Sequence, residues 1–301
     1  MTPQIRTMPL PLAWLAFARQ APFWCSMSET PILIEPAELE AALPRPDLCV
    51  VDLAKAETYA ELHVPGAIHL DYPMLLAGTR PAPGLLPENA RLAQLAGLLG
   101  LDRAPMVVAY DDEGSGRAAR LLWTLHYLGY YNAHVLNGGI HAWSNEGHPV
   151  TAEPVARPPA RALPLDAIDD SVLATRDYVL THLDDAGVAL LDARTPEEYA
   201  GSKISAKRGG HIPGAINLNW HDSMDQARNL RLKPTALLEE LLASRGINLE
   251  QEVIVYCQTH HRSAHTWMML KSLGYGRVRG YAGSWSEWGN DPALPVEQGG
   301  S

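Results

Sequence analysis

The fold of this chain is decided by two stretches that resemble each other, VVDLAKAETYAELHVPGAIHL at residues 50–70 and LLDARTPEEYAGSKISAKRGGHIPGAINL at residues 190–218. An aspartate near the start, a tyrosine in the middle and the tetrapeptide PGAI near the end recur in the same order. Two later pairs of segments also match, residues 107–130 with 253–275 and residues 136–143 with 281–288. Because internal repetition determines the architecture of a chain, we predict two copies of one domain.

The repeats set the domain boundaries. We predict a first domain at residues 30–150 and a second at residues 172–301, joined by a linker at residues 151–171 that four prolines stiffen. Residues 1–29 precede both copies, and two prolines interrupt their apolar stretch, which argues against the helical core of a secretory signal. We interpret this segment as a disordered extension, or as the product of a start codon placed too far upstream.

Composition excludes several classes of protein. The chain has 301 residues, with 24 Lys and Arg against 34 Asp and Glu, so a net charge of −10 argues against general nucleic-acid binding. No run approaches the roughly 18 apolar residues that a membrane span requires. Three cysteines without metal-binding spacing argue against a disulfide framework and a cysteine-based zinc site. We therefore predict a cytoplasmic protein that needs no cofactor and does not bind membranes.

The hydrophobic pattern is typical of an α/β protein. Short β-branched runs predict buried strands, with helical stretches between them. The predicted strands are residues 48–53, 106–110, 188–192 and 253–256, and the predicted helices include residues 92–99 and 235–244. We predict that each copy forms a parallel sheet with helices on both faces. The reactive site of such a sheet lies where strands end and helices begin, which directs attention to the residues after Tyr110 and Tyr256.

Cys257 lies in the loop between a predicted strand and a predicted helix. The residues that follow it are Gln258, Thr259, His260, His261, Arg262 and Ser263. Unpaired backbone N–H groups and the positive end of the helix dipole favour the thiolate there, lower the pKa of the thiol and would hold an anion above the sulfur. Residues 253–286 contain four Lys and Arg and no Asp or Glu, which predicts an anion-attracting patch. We therefore predict that Cys257 is a nucleophile in an anion-binding loop.

The histidines of this loop have an alternative role as zinc ligands. His260 and His261 would need His265 as a third ligand, but adjacent histidines point in different directions and no acid lies nearby in sequence. We predict no metal site and expect His260 and His261 to be hydrogen-bond donors and cations around an anion. Cys49 lies in an apolar strand and Cys25 in the N-terminal extension, so both are predicted to be unreactive.

The first copy lacks the nucleophile. Asp111 stands at the position of Cys257, and Asp112 and Glu113 follow it. Three consecutive acids would repel an anionic substrate. We predict that the first domain is catalytically inactive and that it walls the active-site cleft by packing against the second domain.

The residues around Cys257 resemble those of the rhodanese family. The matching segments are DAR-x-x-x-E-Y at residues 192–199, GHIPGA at 210–215, the loop at 257–262 and YAGSWSEW at 281–288. With their degenerate copies in the first half they cover nearly everything after residue 30. The heptapeptide CQTHHRS is similar to that of a bacterial subgroup with tandem domains. The resemblance implies two rhodanese-like domains and thiosulfate sulfurtransferase activity.

The resemblance also implies a covalent cycle with thiosulfate and sulfite as anionic ligands. The Cys257 thiolate attacks the outer sulfur of thiosulfate, sulfite leaves, and the persulfide passes its sulfur to cyanide or a thiol. Arg262 would stabilise the charged sulfur and the departing sulfite, or tie down the loop through carbonyls or a neighbouring carboxylate. The family pattern places Arg194 near the site, with Asp192 orienting a loop or an arginine. Trp220 would wall the pocket or fill the core.

Several alternatives remain open. Cysteine phosphatases place five residues between Cys and Arg, whereas residues 258–261 are four and would form a smaller cradle. 3-Mercaptopyruvate is the nearest alternative donor, and a protein partner is an alternative acceptor of the sulfur. Residues 197–199 are Glu-Glu-Tyr where the animal enzymes resemble Gly-Arg-Tyr, so their second anion-binding arginine is missing. Two facing domains need no partner subunit to make a cleft, and we predict a monomer.

Overall fold

The computed structural model describes residues 31–156 and 161–299. The predicted N-terminal extension, with Cys25, lies outside the described residues, as do residues 157–160 of the predicted linker. No helix in the described ranges combines the length and the apolar character that crossing a membrane requires.

The first half of the chain alternates strands and helices. Its elements are β1 (Leu33–Ile34), α1 (Pro36–Ala42), β2 (Leu48–Asp52), α2 (Ala56–Glu61), β3 (Ile68–His69), α3 (Asn89–Leu98), β4 (Met106–Tyr110), α4 (Gly116–Tyr127), β5 (Ala133–Leu136) and α5 (Gly139–Asn145). The five strands form a parallel sheet in the order β1-β5-β4-β2-β3. Parallel neighbours need crossover connections, which the intervening helices and loops provide.

The second half repeats this topology. Its elements are β6 (Leu173–Ala174), α6 (Arg176–Thr181), β7 (Val188–Asp192), α7 (Pro196–Ala200), β8 (Ile216–Asn217), β9 (Met224–Asp225), β10 (Arg231–Leu232), α8 (Thr235–Ala243), β11 (Glu252–Tyr256), α9 (Arg262–Ser272), β12 (Val278–Tyr281) and α10 (Ser284–Trp288). The sheet order β6-β12-β11-β7-β8 is that of the first half, strand for strand. The predicted α/β fold with two repeated parallel sheets is therefore confirmed.

The middle strand of each sheet leads into the loop that the sequence analysis singled out. β4 and β11 are each hydrogen-bonded to a strand on both sides, and their last four residues are buried. Burial on both faces is why these segments are continuous apolar runs rather than alternating ones. The sheet thereby holds the residues after Tyr110 and Tyr256 at the carboxyl ends of its central strands.

The largest apolar cluster spans both halves of the chain. Helix α4 of the first half packs along α9 of the second, and the largest hydrophobic cluster joins residues from both sheets across this contact. Residues Ala118–His126 of α4 are all buried, as expected for a helix enclosed between a sheet and another helix. Because α9 begins directly after the Cys257 loop, the first half covers the helix that carries this loop.

A hairpin of the second half forms polar contacts with the first half of the chain. Strands β9 and β10 pair in antiparallel orientation and have no counterpart in residues 31–156. Arg231 in β10 forms ion pairs with Glu35, at 3.1 Å between Nε and Oε2, and with Glu146. The Leu232 N–H donates to the Asn137 Oδ1 at 3.0 Å. These contacts are remote in sequence from the Cys257 loop, and they fix the relative position of the two sheets.

The described parts of the predicted linker run along the first domain. Thr151 forms an isolated antiparallel bridge with His63, and the Leu163 N–H donates to the Ala93 carbonyl at 3.0 Å. Apart from that bridge and the 3-10 turn Asp170–Val172, residues 151–156 and 161–171 contain neither helix nor strand.

Candidate active site

Cys257 is the first residue after β11, and α9 begins five residues later at Arg262. The cysteine is fully buried, and its side chain lies in a small apolar cluster with Ala193, Trp220 and Met224. Trp220 thus belongs to the apolar wall around the sulfur, and it begins the short turn that follows β8.

Ser284 at the start of α10 fixes the backbone of the loop. Its Oγ accepts hydrogen bonds from the N–H groups of Cys257, at 3.3 Å, and of His260, at 3.1 Å, and it donates to the Tyr281 carbonyl at 2.8 Å. Both His260 and Ser284 have a positive φ, 54° and 52°, which a residue with a side chain rarely adopts. Such local strain persists only where the surroundings enforce it, and here it shapes the loop.

The first N–H groups of α10 hold two carbonyls of the loop. The Trp285 N–H donates to the Cys257 carbonyl at 2.9 Å, and the Ser286 N–H donates to the Gln258 carbonyl at 3.0 Å. The Gln258 side chain makes two further hydrogen bonds with Ser205: its Oε1 accepts from the Ser205 hydroxyl, and its Nε2 donates to the Ser205 carbonyl. Because the carbonyls of Cys257 and Gln258 are bound by α10, they point away from the sulfur, and other N–H groups of the loop can point toward it.

The electrostatic surroundings favour the Cys257 thiolate. Burial by itself would raise the pKa of this thiol, but the charge of Arg262, the Ser263 hydroxyl and the N–H groups of Ser263 and Thr259 outweigh burial and lower it to about 7. Hydrogen bonds and a cation beside the charged form are the established means of activating a cysteine. The thiolate of Cys257 is therefore accessible at neutral pH.

Arg262 is paired with a carboxylate. Its Nη1 and Nη2 donate to Glu198 in α7 at 2.6 and 3.0 Å, a bidentate pair. Burial by itself would raise the pKa of Glu198, but this pairing lowers it to about 2. Arg262 is thus tied down by a neighbouring carboxylate, and its charge still acts on Cys257.

Asp192 and Arg194 form a second, fully buried ion pair. The Arg194 Nη2 lies 2.5 Å from the Asp192 Oδ2, and it also donates to the Gly210 carbonyl at 2.7 Å. The guanidinium carbon lies 4.5 Å from the centre of the Trp285 ring. Asp192 therefore orients Arg194 beneath the loop, where Trp285 also anchors the Cys257 carbonyl.

His260 is not a cation. Its ring is buried, with Nδ1 2.8 Å from the Ser263 Oγ and its edge against Trp123 of the first domain. Burial lowers the pKa of His260 well below the ordinary value, and the nearby charge of Arg120 lowers it further. The expectation that this histidine supplies positive charge to an anion is wrong, because a neutral ring packs between the domains.

His261 bridges the two domains. Its Nε2 pairs with the Glu113 carboxylate of the first domain, and its ring lies between Tyr72 and Trp220, with centroids 5.5 and 5.6 Å away. Gly116 makes room for it, since a Cβ at that position would lie 2.6 Å from the His261 Nε2. The ring is half-buried and faces a carboxylate of its own chain.

The third histidine of the region is buried beneath the loop. His265 lies in α9, and its Nε2 is 2.9 Å from the Ser223 Oγ. Across residues 31–156 and 161–299, no group of three or more His, Cys, Asp or Glu side chains is arranged to hold a metal ion.

Two of the four cations predicted to form a patch at residues 253–286 are paired with carboxylates, Arg262 with Glu198 and Arg279 with Glu252. The other two, Lys271 and Arg277, donate to the backbone carbonyls of Gly276 and Glu250. Glu198 and Glu252 lie outside residues 253–286 and come from other elements of the fold. The sequence of residues 253–286 contains these cations but not the carboxylates that pair with two of them.

In the first domain a carboxylate fills the position of the sulfur. The Asp111 Oδ1 accepts from the N–H groups of Glu113 and Ser115, at 3.0 and 2.8 Å, and its Oδ2 accepts from those of Arg117 and Ala118, at 2.9 and 3.0 Å. Four backbone donors that could hold an external anion are thus bound by the chain's own carboxylate.

Several residues of the site were not predicted from the sequence. Tyr72 occupies the same turn after β3 that Trp220 occupies after β8, so the alignment of the two copies carried a signal for it. Ser284 lies within the repeated YAGSWSEW box, which again was a signal. Arg120 acts across the contact between the domains, and nothing in its local sequence marks it. Glu113 was predicted only to repel anions, and its pairing with His261 was not predicted.

Comparison with known proteins agrees with this geometry. A family model described as a rhodanese-like domain matches residues 35–146 and again residues 175–291. A thiosulfate sulfurtransferase of Pseudomonas aeruginosa is 48% identical over 270 residues, which cover 90% of this chain and 98% of that protein. One of Azotobacter vinelandii is 47% identical, over 89% of this chain and 97% of that protein. The sulfur carrier protein TtuD of Thermus thermophilus is 34% identical, over 79% and 86%.

Proposed function

Because the chain belongs to the rhodanese family, we propose that it is a thiosulfate sulfurtransferase whose second domain carries out the reaction and whose first domain is catalytically inactive. One observation carries the proposal. The second domain presents a Cys257 thiol with a pKa of about 7, whereas in the first domain Asp111 fills the equivalent cradle. Two relatives that are nearly half identical and share almost the full length bear this name.

The reaction has two half-reactions. The Cys257 thiolate attacks the outer sulfur of thiosulfate, a bond forms between the two sulfurs, and the sulfur–sulfur bond of thiosulfate breaks. Sulfite leaves with that electron pair, and a cysteine persulfide anion remains. Cyanide then attacks the outer persulfide sulfur, thiocyanate leaves, and the thiolate is regenerated. The N–H groups of Thr259 and Ser263, together with Arg262, stabilise the negative charge on sulfur in both steps.

A protein thiol is the second candidate acceptor. The persulfide formed on Cys257 is chemically competent to pass its outer sulfur to any thiolate, and one relative is named a sulfur carrier protein.

The whole site comes from one chain, which supports a monomer. Cys49 and Cys257 are both free thiols, which fits the reducing cytoplasm.

The proposal is tested by comparing two donors. Steady-state kinetics with cyanide as acceptor should give a higher kcat/KM for thiosulfate than for 3-mercaptopyruvate. Mass spectrometry after thiosulfate treatment should show a gain of about 32 Da, one sulfur atom, on the peptide that contains Cys257. A preference for 3-mercaptopyruvate, or thiosulfate turnover without this mass gain, would contradict the proposed function.

The donor half-reaction should depend on pH. The thiolate is the reacting form and the pKa of Cys257 is about 7, so the rate should rise with pH through a midpoint near 7. At pH 6 it should be roughly a tenth of its plateau. Single-turnover release of sulfite measures this step without cyanide, whose own protonation would otherwise affect the profile. A midpoint above pH 8 would show that the loop does not activate the thiol.

A further inference from the structure

Arg120 of the first domain is buried against the catalytic loop of the second. It lies in α4, is fully buried, and its Nη1 donates to the His260 carbonyl at 3.3 Å. Its Nη2 donates to the carbonyls of Leu75 and Gly84 at 3.1 and 2.8 Å. A Cβ built on Gly84 would lie 2.3 Å from the Thr259 carbonyl oxygen, so this segment of the first domain touches the loop directly.

The other arginines around Cys257 are paired with carboxylates. The pairs are Arg262 with Glu198, Arg194 with Asp192, and Arg117 with Asp112 and Glu113. Burial keeps His260 and His265 neutral by lowering the pKa of each. Arg120 differs, because no carboxylate in residues 31–156 or 161–299 forms an ion pair with it. Burying a guanidinium without a counter-charge costs free energy, so the groups around Arg120 must offset the cost of desolvating its charge.

Besides its three carbonyl acceptors and the Trp123 ring, whose centre lies 4.9 Å from the guanidinium carbon, two ionisable groups interact favourably with the charge of Arg120. Burial lowers the pKa of its guanidinium to about 10, while Tyr72 and Cys257 act in the opposite direction. Burial also raises the pKa of Tyr72, so this phenol is neutral at physiological pH. Its hydroxyl has no hydrogen-bond partner among the described residues. The thiolate of Cys257 is therefore the one anion in this group that can balance the charge of Arg120.

We propose that Arg120 is the counter-charge by which the first domain stabilises the Cys257 thiolate and its persulfide. The persulfide part rests on the proposed function, whereas the thiolate part does not. The hydrogen bonds of Arg120 go to backbone carbonyls and not to the Cys257 sulfur, so it is a positioning residue that acts through its charge and through the His260 carbonyl. The inactive domain thereby does more than cover the cleft, because it supplies the unpaired cation of the site.

The proposal is tested by titrating Cys257 in the full chain. The rate of alkylation by iodoacetamide is measured against pH, with the modified peptide identified by mass spectrometry so that other cysteines do not contribute. In Arg120→Met the pKa of Cys257 should rise by about one unit, a roughly tenfold loss of thiolate below the pKa. In Arg120→Lys, which keeps the charge but loses the forked hydrogen bonds, it should remain within about 0.3 unit of the wild type.

Arg231→Met is the matched control. It also removes a buried arginine from the contact between the domains, but one that Glu35 and Glu146 neutralise, so the pKa of Cys257 should not change. Should Arg120→Met fail to fold, Arg120→Gln removes the charge and keeps a donor. A folded neutral variant with an unchanged pKa of Cys257 would refute the proposal, as would equal shifts in the Lys and Met variants. Alkylation requires no sulfur transfer, so a wild type that forms no persulfide would refute the proposed function alone.

Discussion

Replacing Cys257 by serine is expected to abolish the formation of thiocyanate from thiosulfate and cyanide, with a loss of at least about a thousandfold. A serine hydroxyl is not ionised at neutral pH, and its oxygen cannot form a persulfide. The loop would be preserved, because the N–H of residue 257 still donates to Ser284 and its carbonyl still accepts from Trp285. The loss should therefore appear in kcat and not in the free energy of unfolding.

The other two cysteines provide the controls. Burial raises the pKa of Cys49 to about 11, so it is a protonated thiol at neutral pH, and Cys49→Ser should keep near-normal activity. Cys25 lies outside the described residues, and Cys25→Ser is likewise expected to be near normal. Thiocyanate formation by Cys257→Ser above a few per cent of wild type would overturn the assignment of the nucleophile.

The topology could be predicted because the evidence for it is local. β4 and β7 have the bounds that their apolar runs indicated, since a strand buried on both faces must be apolar throughout. The nucleophile could be predicted for a similar reason. A cysteine between an apolar strand and a helix that is followed by six polar residues cannot fill an apolar core. Its place at the start of a helix favours a reactive thiolate instead.

The charges of the site could not be predicted, because ion pairs are formed by residues far apart in sequence. Arg262 pairs with Glu198, 64 positions away, and His261 with Glu113, 148 positions away. Residues 253–286 contain Lys and Arg but no Asp or Glu, so the sequence of this region alone overstates the positive charge of the site. The fold brings a carboxylate to each of these two residues, and His260 is turned into the contact between the domains, where burial keeps it neutral.

The retained cradle of the first domain leads to a prediction about stability. Asp111→Ala should lower the free energy of unfolding by about 3 kcal/mol, because it leaves four backbone N–H groups without their acceptor, two of them in fully buried bonds. Asp102→Ala is the matched control. Its carboxylate is exposed and pairs with Arg161 at the surface, where solvent screens the pair, so Asp102→Ala should lower the free energy of unfolding far less than Asp111→Ala does. Urea denaturation of the three proteins measures the difference.

An added carboxylate should then repair the variant. If the four donors act as an anion cradle that Asp111 normally fills, formate should occupy the space left in Asp111→Ala and restore part of the lost free energy of unfolding, because it binds only the folded state. The wild type, whose cradle is full, should not respond, and sodium chloride at the same concentration should not replace formate. Equal stabilisation of both proteins by formate would show that the effect is a general one of salt. A loss on Asp111→Ala no greater than that of Asp102→Ala would show that the four hydrogen bonds do not hold the loop. The loop of the first domain would then have kept the backbone conformation of the catalytic loop without its ability to bind an anion.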